Sequence, residues 1–178
     1  MKNVLLVYAS AGAGHQKAAE ALYQYLKNNH PDLEVKIFDL LDYTPFSFRI
    51  LYFKGYIFLI SKLTWLWYLL YRISFLFANN RIFAWLDYLT ALPFVDLLRR
   101  EGPDVVVSTH FLTSSILTVF KRKNPGRKIK LISIITDYNL HPLWLGEGGD
   151  LYVAACDFVR EELLKRKVSP DKIRVCGI

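Results

Sequence analysis

The chain has 178 residues, enough for one well-buried domain, and its formal net charge of +7 favours acidic surfaces as partners. Its two cysteines, Cys156 and Cys176, lack the spacing of metal ligands, so we expect buried free thiols in a reducing cytoplasm and no metal site. The N-terminus lacks the layout of a signal peptide and begins with a predicted strand, NVLLVYA.

The segment SAGAGH, residues 10–15, follows this strand and precedes a helix predicted over residues 15–29. Glycines at such a place let the backbone approach a ligand, and the N–H groups of the helix N-terminus can bind an anion. The segment is not a Walker A loop, because His15 and Gln16 follow Gly14 where Lys and Ser or Thr are needed. It is also a poor dinucleotide fingerprint, since Lys17 occupies the third glycine position. A tight turn without chemistry is an alternative.

His15 makes a catalytic role possible for this segment. It falls in the first turn of the predicted helix, where the positive end of the helix dipole favours a neutral imidazole. A neutral imidazole is what a general base needs to take a proton from a hydroxyl. A packing or surface histidine is the alternative.

After a second strand, LEVKIFDL, residues 43–86 contain no acidic residue and more than half of the aromatic residues. The basic residues of this segment are Arg49, Lys54, Lys62, Arg72 and Arg81, and its tryptophans are Trp65, Trp67 and Trp85. Helices are predicted over roughly residues 46–85. The longest uncharged stretch is residues 63–71, whereas a membrane span needs about 20 apolar residues. We therefore expect helices that lie in the membrane interface, with basic groups at the headgroups. Buried helices with an aromatic core are the alternative, and nucleic-acid binding is not expected.

The remainder of the chain alternates helices and strands: a helix at 87–100, the strand DVVVSTH, a helix at 112–123, the strand KLISIIT, the loop DYNLHPLWLGEGG, the strand LYVAA, a helix at 158–167 and the strand IRVCG. Strands rich in Val, Ile and Leu that alternate with helices predict a doubly wound α/β domain with a mostly parallel sheet. The aromatic and basic segment is an insertion in this domain. Ligands bind beyond the carboxyl ends of such strands, so SAGAGH, STHF and TDYNLHPLW are expected to converge at one edge.

Two of these segments supply further candidate site residues. In TDYNLHPLW, Asp137 can orient a histidine or bind hydroxyls, His141 can bind a ligand or phosphate, and Trp144 offers a stacking or lipid-facing surface. STHF places His110 at another strand end. The alternatives are a structured loop for the first segment and a packing role for His110. His30, in the turn NNHPD, is expected at the surface.

The segments SAGAGHQKAAEAL, STHF, TDYNLHPLW and IRVCGI together resemble the N-terminal domain of the monogalactosyldiacylglycerol synthase family. This family includes bacterial processive diacylglycerol glucosyltransferases and is related to the enzyme that adds N-acetylglucosamine to a lipid-linked peptidoglycan precursor. The resemblance extends from the first strand to the end of the chain. One departure is Ala13, where the plant enzymes have a third glycine in the loop.

The resemblance implies the N-terminal half of a GT-B glycosyltransferase, a Rossmann-like domain without a required metal or bound cofactor. It implies inverting transfer of a hexose from UDP-glucose or UDP-galactose to diacylglycerol, at the cytoplasmic face of the cell membrane. His15 is then the base candidate. The loop residues Ser10, Gly12, Ala13 and Gly14 approach the acceptor and the donor diphosphate, and the acceptor or lipid side is formed by His110, Asp137, His141 and Trp144. Anionic lipid is bound by the insertion, through Lys54, Lys62, Trp65, Trp67, Arg72 and Trp85.

The resemblance also implies a C-terminal donor domain that residues 1–178 do not contain, so we expect this chain alone to be inactive. Three alternatives stay open: a peripheral lipid-binding module without catalysis, a related GT-B enzyme that acts on a polyprenyl-linked acceptor, and a nucleotide-dependent enzyme that uses SAGAGH as a phosphate loop.

Overall fold

The computed structural model describes residues 1–10, 12–77, 81–145 and 148–177. Four parts of the predicted segments lie outside the described residues: Ala11 of SAGAGH, residues 78–80 of the insertion, residues 146–147 of the long loop, and Ile178.

All six strands of the described chain form one parallel sheet, in the order β2-β1-β3-β4-β5-β6. The strands are β1 (Lys2–Tyr8), β2 (Leu33–Asp39), β3 (Val105–Ser108), β4 (Lys130–Ile135), β5 (Leu151–Ala154) and β6 (Ile173–Val175). The sheet confirms the predicted doubly wound, Rossmann-like architecture. Each predicted strand is present; β1 is displaced by one residue, and the other five strands are one to three residues shorter than predicted.

The described helices cover both faces of this sheet or belong to the insertion. They are α1 (Ala13–Asn29), α2 (Phe46–Ile50), α3 (Tyr56–Lys62), α4 (Thr64–Phe77), α5 (Arg81–Thr90), α6 (Leu92–Glu101), α7 (Phe111–Lys123) and α8 (Asp157–Lys165). A π-helical segment, Leu51–Gly55, joins α2 to α3. The single helix predicted over residues 87–100 is wrong: Pro93 falls in the first turn of α6, where proline starts a helix rather than continuing one.

The core has one layer on each face of the sheet because neighbouring strand residues point to opposite faces. On one face Leu5 packs with helix residues such as Phe94 and Phe120, all fully buried. On the other face Leu6 packs with Val4 and with partly buried residues of α1 such as Leu22. These layers hold the strand ends, and thus the loops that follow them, in fixed relative positions.

The insertion lies between β2 and β3, and its large apolar side chains are exposed. In the described residues of α2, α3 and α4 no side chain is fully buried. Phe46 is 76% exposed, Trp65 68% and Ile82 64%. Most of the described aromatics of the insertion thus do not form a buried core of their own, although Tyr43 and Phe48 pack against the main core. No helix among the described residues is both long and apolar enough to cross a bilayer.

The two cysteines are free thiols, as predicted, but they are not both buried. Cys156 is half-buried and Cys176 is exposed. Cys176 directly follows the last strand of the sheet, which is an edge strand and gives its neighbours little cover.

Candidate functional site

The predicted loops converge at the carboxyl edge of the sheet. The strand order changes direction between β1 and β3, and in open α/β sheets such a point forms a ligand-binding crevice. The loop after β3 contacts the start of α1, because the Thr109 hydroxyl donates to the His15 carbonyl at 2.8 Å. Thr136, directly after β4, contacts the His15 ring at 2.7 Å. The convergence inferred from the sequence is confirmed.

The hydrogen bonds of His15 determine which ring nitrogen carries the proton. Its Nδ1 atom lies 2.7 Å from the Thr109 carbonyl oxygen and 2.7 Å from the Thr136 hydroxyl oxygen. A carbonyl oxygen can only accept, so we assign the proton to Nδ1. The lone pair is then on Nε2, on a ring that is partly exposed. In this tautomer of the neutral ring, Nε2 is the nitrogen that can accept a proton.

The loop before His15 leaves open space beside the N-terminus of α1. The N-cap residue is Gly12, no side chain caps this helix, and its first turn has no acidic residue. A Cβ atom at Gly14 would meet nothing within 4 Å, and one at Gly12 would meet only the His15 ring at 3.8 Å. Ala13 is the first helical residue, and the Ser10 N–H donates to the Asp39 carboxylate at 3.2 Å. The N-terminus of α1 thus has no side-chain cap, and helix N-termini of this kind can bind an anion through their backbone N–H groups.

His110 is buried, and its side chain caps a helix. Its Nδ1 atom accepts from the Leu112 N–H at 3.2 Å, so the ring proton is on Nε2, which lies 3.4 Å from the Tyr52 hydroxyl. Burial, followed by the proximity of His15, lowers the pKa of His110 to about 3. Because the ring is only 2% exposed, direct contact with an acceptor lipid, as predicted from the sequence, is not supported in this conformation.

His141 repeats this arrangement on the next loop. Its Nδ1 atom accepts from the Leu143 N–H at 3.2 Å, and its Nε2 atom lies 2.8 Å from the Ser74 hydroxyl of the insertion. Burial is the main cause that lowers the pKa of His141; Asp137 opposes this and Arg166 adds to it. The ring is 7% exposed, so the predicted direct contact with a ligand is not supported here either.

The predicted role of Trp144 as a stacking or lipid-facing surface is wrong for this structure. The side chain is completely buried in the cluster formed by Ile135, Tyr152 and neighbouring residues. Its indole N–H donates to the Asp137 carboxylate at 2.7 Å, which satisfies the one polar atom of the ring. Asp137 is partly exposed, and Trp144 fixes its orientation at the sheet edge.

The residues predicted to bind a membrane lie on the insertion, and most are exposed. Lys54, Lys62, Trp65, Arg72 and Trp85 are exposed, and Trp67 is partly buried. The Trp67 ring packs edge-on against Tyr56 at 5.1 Å between ring centroids. Arg49 is exposed and pairs with Asp42 at 2.7 Å. Trp67 thus supports the insertion, whereas the other members of the set face outward.

Several residues of the site are missing from the sequence analysis: Asp39, Tyr52, Ser74, Thr109 and Thr136. Thr109 and Thr136 each directly follow a strand at the functional edge, which is a usable signal. A second usable signal is an aspartate at a strand end before a helical turn. Asp39 has this position, and its carboxylate accepts from the Leu41 N–H at 3.0 Å. Tyr52 and Ser74 carry no such signal because their partners are 58 and 67 residues away.

Because of its two buried histidines, the protein is expected to lose stability in acid. Their pKa values are lower in the folded protein than the usual value of 6.5, so below this pH the unfolded state binds more protons. The free energy of unfolding should fall as the pH decreases from 6.5 toward 4.5, by about 1.4 kcal/mol per pH unit for each fully neutral histidine. Urea titrations at successive pH values measure this slope.

Asparagine substitutions at both positions test the cause of this slope. Asparagine can cap a helix but does not titrate, so the double variant His110→Asn and His141→Asn should have a flatter pH profile. A His30→Asn variant is the control, because His30 is exposed. An unchanged slope in the double variant would mean that other groups cause the acid loss.

The sequence model of the monogalactosyldiacylglycerol (MGDG) synthase family matches residues 15–178. The chain belongs to this family. Its named relatives are glycosyltransferases of diacylglycerol glycolipid synthesis. The processive diacylglycerol beta-glucosyltransferase of Bacillus subtilis (strain 168) is 27% identical over 99% of this chain and 45% of the relative. The probable monogalactosyldiacylglycerol synthase 2 of Oryza sativa subsp. indica, a chloroplastic protein, is 30% identical over 99% of this chain and 38% of the relative.

This member of the MGDG synthase family spans less than half the length of these relatives. A solved structure with a similar fold is the lipopolysaccharide outer core galactosyltransferase WaaB in its apo form, a GT-B glycosyltransferase. Its TM-score is 0.58 at 16% identity, and the match covers 98% of this chain and 45% of that chain. The family match begins at His15 and contains Thr109, Thr136 and the insertion, while Ser10, Gly12, Ala13 and Gly14 precede it.

Proposed function

We propose that this chain is the acceptor- and membrane-binding domain of an inverting glycosyltransferase that transfers a hexose from UDP-glucose or UDP-galactose to diacylglycerol. The geometry of His15 is the observation that carries the proposal. Its Nδ1 proton is donated to the Thr109 carbonyl, which leaves Nε2 free to accept a proton. The position at the switch point of the sheet is where a substrate of this fold class binds.

In the proposed reaction, Nε2 of His15 takes the proton of the diacylglycerol hydroxyl as its oxygen attacks the anomeric carbon of the sugar. The new glycosidic bond forms while the bond from that carbon to the UDP oxygen breaks, and UDP leaves with the electron pair. The uncapped N–H groups around Gly12 and Gly14 bind the diphosphate, whose negative charge grows during this step. Asp137, partly exposed beside Thr136, binds the acceptor.

The membrane part of the proposal rests on the charge and exposure of the insertion. Diacylglycerol is held in a bilayer, so the enzyme has to bind at its surface to reach the hydroxyl. The exposed apolar side chains suit the acyl boundary, and the exposed basic residues Lys54, Lys62 and Arg72 suit anionic headgroups. We therefore place the protein peripherally at the cytoplasmic face. Most UDP-sugar contacts are assigned to a second domain, as in a two-domain GT-B enzyme.

A transfer assay tests the proposed function. The enzyme that contains this chain is incubated with radiolabelled UDP-glucose or UDP-galactose and with vesicles that hold diacylglycerol, with and without phosphatidylglycerol. We expect labelled glycolipid, formed faster on the anionic vesicles and more slowly at high salt. Calorimetry with NAD and ATP is the companion measurement, and no tight binding is expected.

Three results would contradict this proposal in different ways. Binding to vesicles without any sugar transfer would favour a lipid-binding module without catalysis, and transfer only to a polyprenyl-linked acceptor would favour the related GT-B activity. Tight binding of NAD or ATP to the chain would overturn the proposal in favour of a nucleotide-dependent enzyme.

A further inference from the structure

Two buried histidines connect the insertion to the sheet through the same pattern of hydrogen bonds. In both His110 and His141, Nδ1 accepts the backbone N–H of the residue two positions ahead. The proton of each neutral ring is therefore on Nε2, and it is donated to a hydroxyl of the insertion. The acceptors are Ser74 at 2.8 Å for His141 and Tyr52 at 3.4 Å for His110. We call these two contacts the histidine bridges.

In the bridge from His141, the Ser74 hydroxyl of the insertion both accepts and donates a hydrogen bond. The Ser74 hydroxyl accepts from His141 and donates its own proton to the Tyr71 carbonyl oxygen at 2.7 Å. The rings of Tyr71 and Phe75, one on each side of Ser74 in sequence, lie 5.2 and 4.6 Å from the His141 ring centroid. The bridge thus has a defined direction, and aromatic rings flank it.

The histidine bridges lie beside His15. The ring centroid of His110 is 4.8 Å from that of His15, in an edge-on arrangement. Phe111 packs between the two bridges, 4.3 Å from the His110 ring and 6.4 Å from the His141 ring. One continuous aromatic cluster therefore joins the exposed insertion to the proposed base.

We propose that His110 and His141 are positioning residues that set the distance between the membrane-facing insertion and His15. This inference rests on the proposed function, since it concerns how the base reaches a hydroxyl in the membrane. A bilayer confines the hydroxyl of its lipid acceptor to the headgroup level, so the depth of the base has to match it. A displacement of about 1 Å can cost up to about 10²-fold in rate. The bridges fix the depth of His15 above the bilayer once the insertion is bound.

Removal of the hydroxyl at Ser74 tests this role without removing a buried ring. With Ser74→Ala, kcat/KM for diacylglycerol in vesicles should fall by about three- to ten-fold, the value of one buried hydrogen bond. The rate with soluble, short-chain dihexanoylglycerol should change by less than about two-fold, because this acceptor can diffuse to the base. Amide hydrogen exchange in α4 should increase, and Ser74→Thr should restore both properties because it keeps the hydroxyl.

A matched control is available for each bridge. Ser61→Ala removes an exposed hydroxyl that contacts only the nearby Phe58 carbonyl, at 3.4 Å. Tyr52→Phe tests the second bridge and should have the smaller effect, because that contact is longer. Its control lies outside the insertion and is Tyr25→Phe, which removes the hydroxyl of an exposed tyrosine on α1.

The outcomes separate the two proposals. If the unsubstituted enzyme glycosylates neither acceptor, the proposed function is contradicted. Active enzyme in which Ser74→Ala behaves like Ser61→Ala, or loses activity equally with both acceptors, overturns the role of the histidine bridges and leaves the proposed function in place. A selective loss with vesicle-held diacylglycerol, together with faster exchange in α4, supports it.

Discussion

Replacing His15 by alanine is expected to lower the turnover number of the intact glycosyltransferase by about 10²–10⁴-fold, the range that general-base catalysis contributes. The lost group is the Nε2 lone pair, because the contact of Nδ1 with the Thr109 carbonyl places the proton of the neutral ring on Nδ1. Transfer of labelled sugar to diacylglycerol at saturating donor measures the effect. Vesicle binding should be unchanged, because His15 is not part of the insertion.

Two comparisons distinguish a catalytic His15 from a structural one. His30→Ala removes an exposed histidine from the opposite, C-terminal end of the same helix and should keep the normal rate. Imidazole added to the His15→Ala enzyme should restore part of the lost activity, because it can supply the missing base in solution. A rate close to normal in His15→Ala, or a loss accompanied by a large drop in melting temperature, would mean that His15 serves the structure rather than the chemistry.

Most of the fold could be predicted from the sequence because the strands are nearly continuous runs of Val, Ile and Leu. Val4 to Val7 and Val105 to Val107 are buried or nearly so, which is the pattern of a sheet covered on both faces. Parallel strands then place the loops that follow β1, β3 and β4 at one edge. This inference used only the pattern of the strands, and the contacts of His15 with Thr109 and Thr136 confirm it.

The roles of the side chains in these loops could not be predicted in the same way. Trp144, His110 and His141 fall in loops at the functional edge, and their residue types suit a ligand. Whether such a ring points outward or inward depends on its rotamer and on partners from distant segments. Trp144 forms a hydrogen bond with Asp137, and His141 forms one with Ser74, and both rings are buried. Sequence spacing does not contain that information.

The insertion shows the opposite case, in which composition predicted exposure correctly. A segment with many aromatic residues usually forms a core, but the absence of every acidic residue from 43–86 indicated otherwise. The structure leaves Phe46, Trp65 and Tyr68 largely exposed. The sign of the charges was informative because an ordinary helix face in water usually carries both acidic and basic residues, whereas this segment carries only basic ones.

Reversing three charges of the insertion is expected to release the chain from anionic membranes. Each basic residue near an anionic leaflet contributes roughly 1 kcal/mol, so the triple variant Lys54→Glu, Lys62→Glu and Arg72→Glu should weaken partitioning by at least about 100-fold. All three side chains are exposed. Arg72 donates to the Tyr68 hydroxyl at 3.1 Å and lies over the Tyr68 ring, and both contacts are within the exposed surface of α4. The melting temperature should therefore change little, and sedimentation with phosphatidylglycerol vesicles measures the loss of binding.

The matched control reverses three exposed lysines outside the insertion, Lys2, Lys27 and Lys128, and so changes the net charge by the same amount. If position matters as proposed, this control keeps most of its binding, because charges far from the bilayer are screened beyond about 8 Å at physiological salt. Equal release of both variants would show that only net charge attracts the protein to the vesicles. Unfolding of the insertion variant would instead show that its basic residues serve packing. Retained binding at full strength would mean that the apolar side chains alone hold the insertion in the membrane.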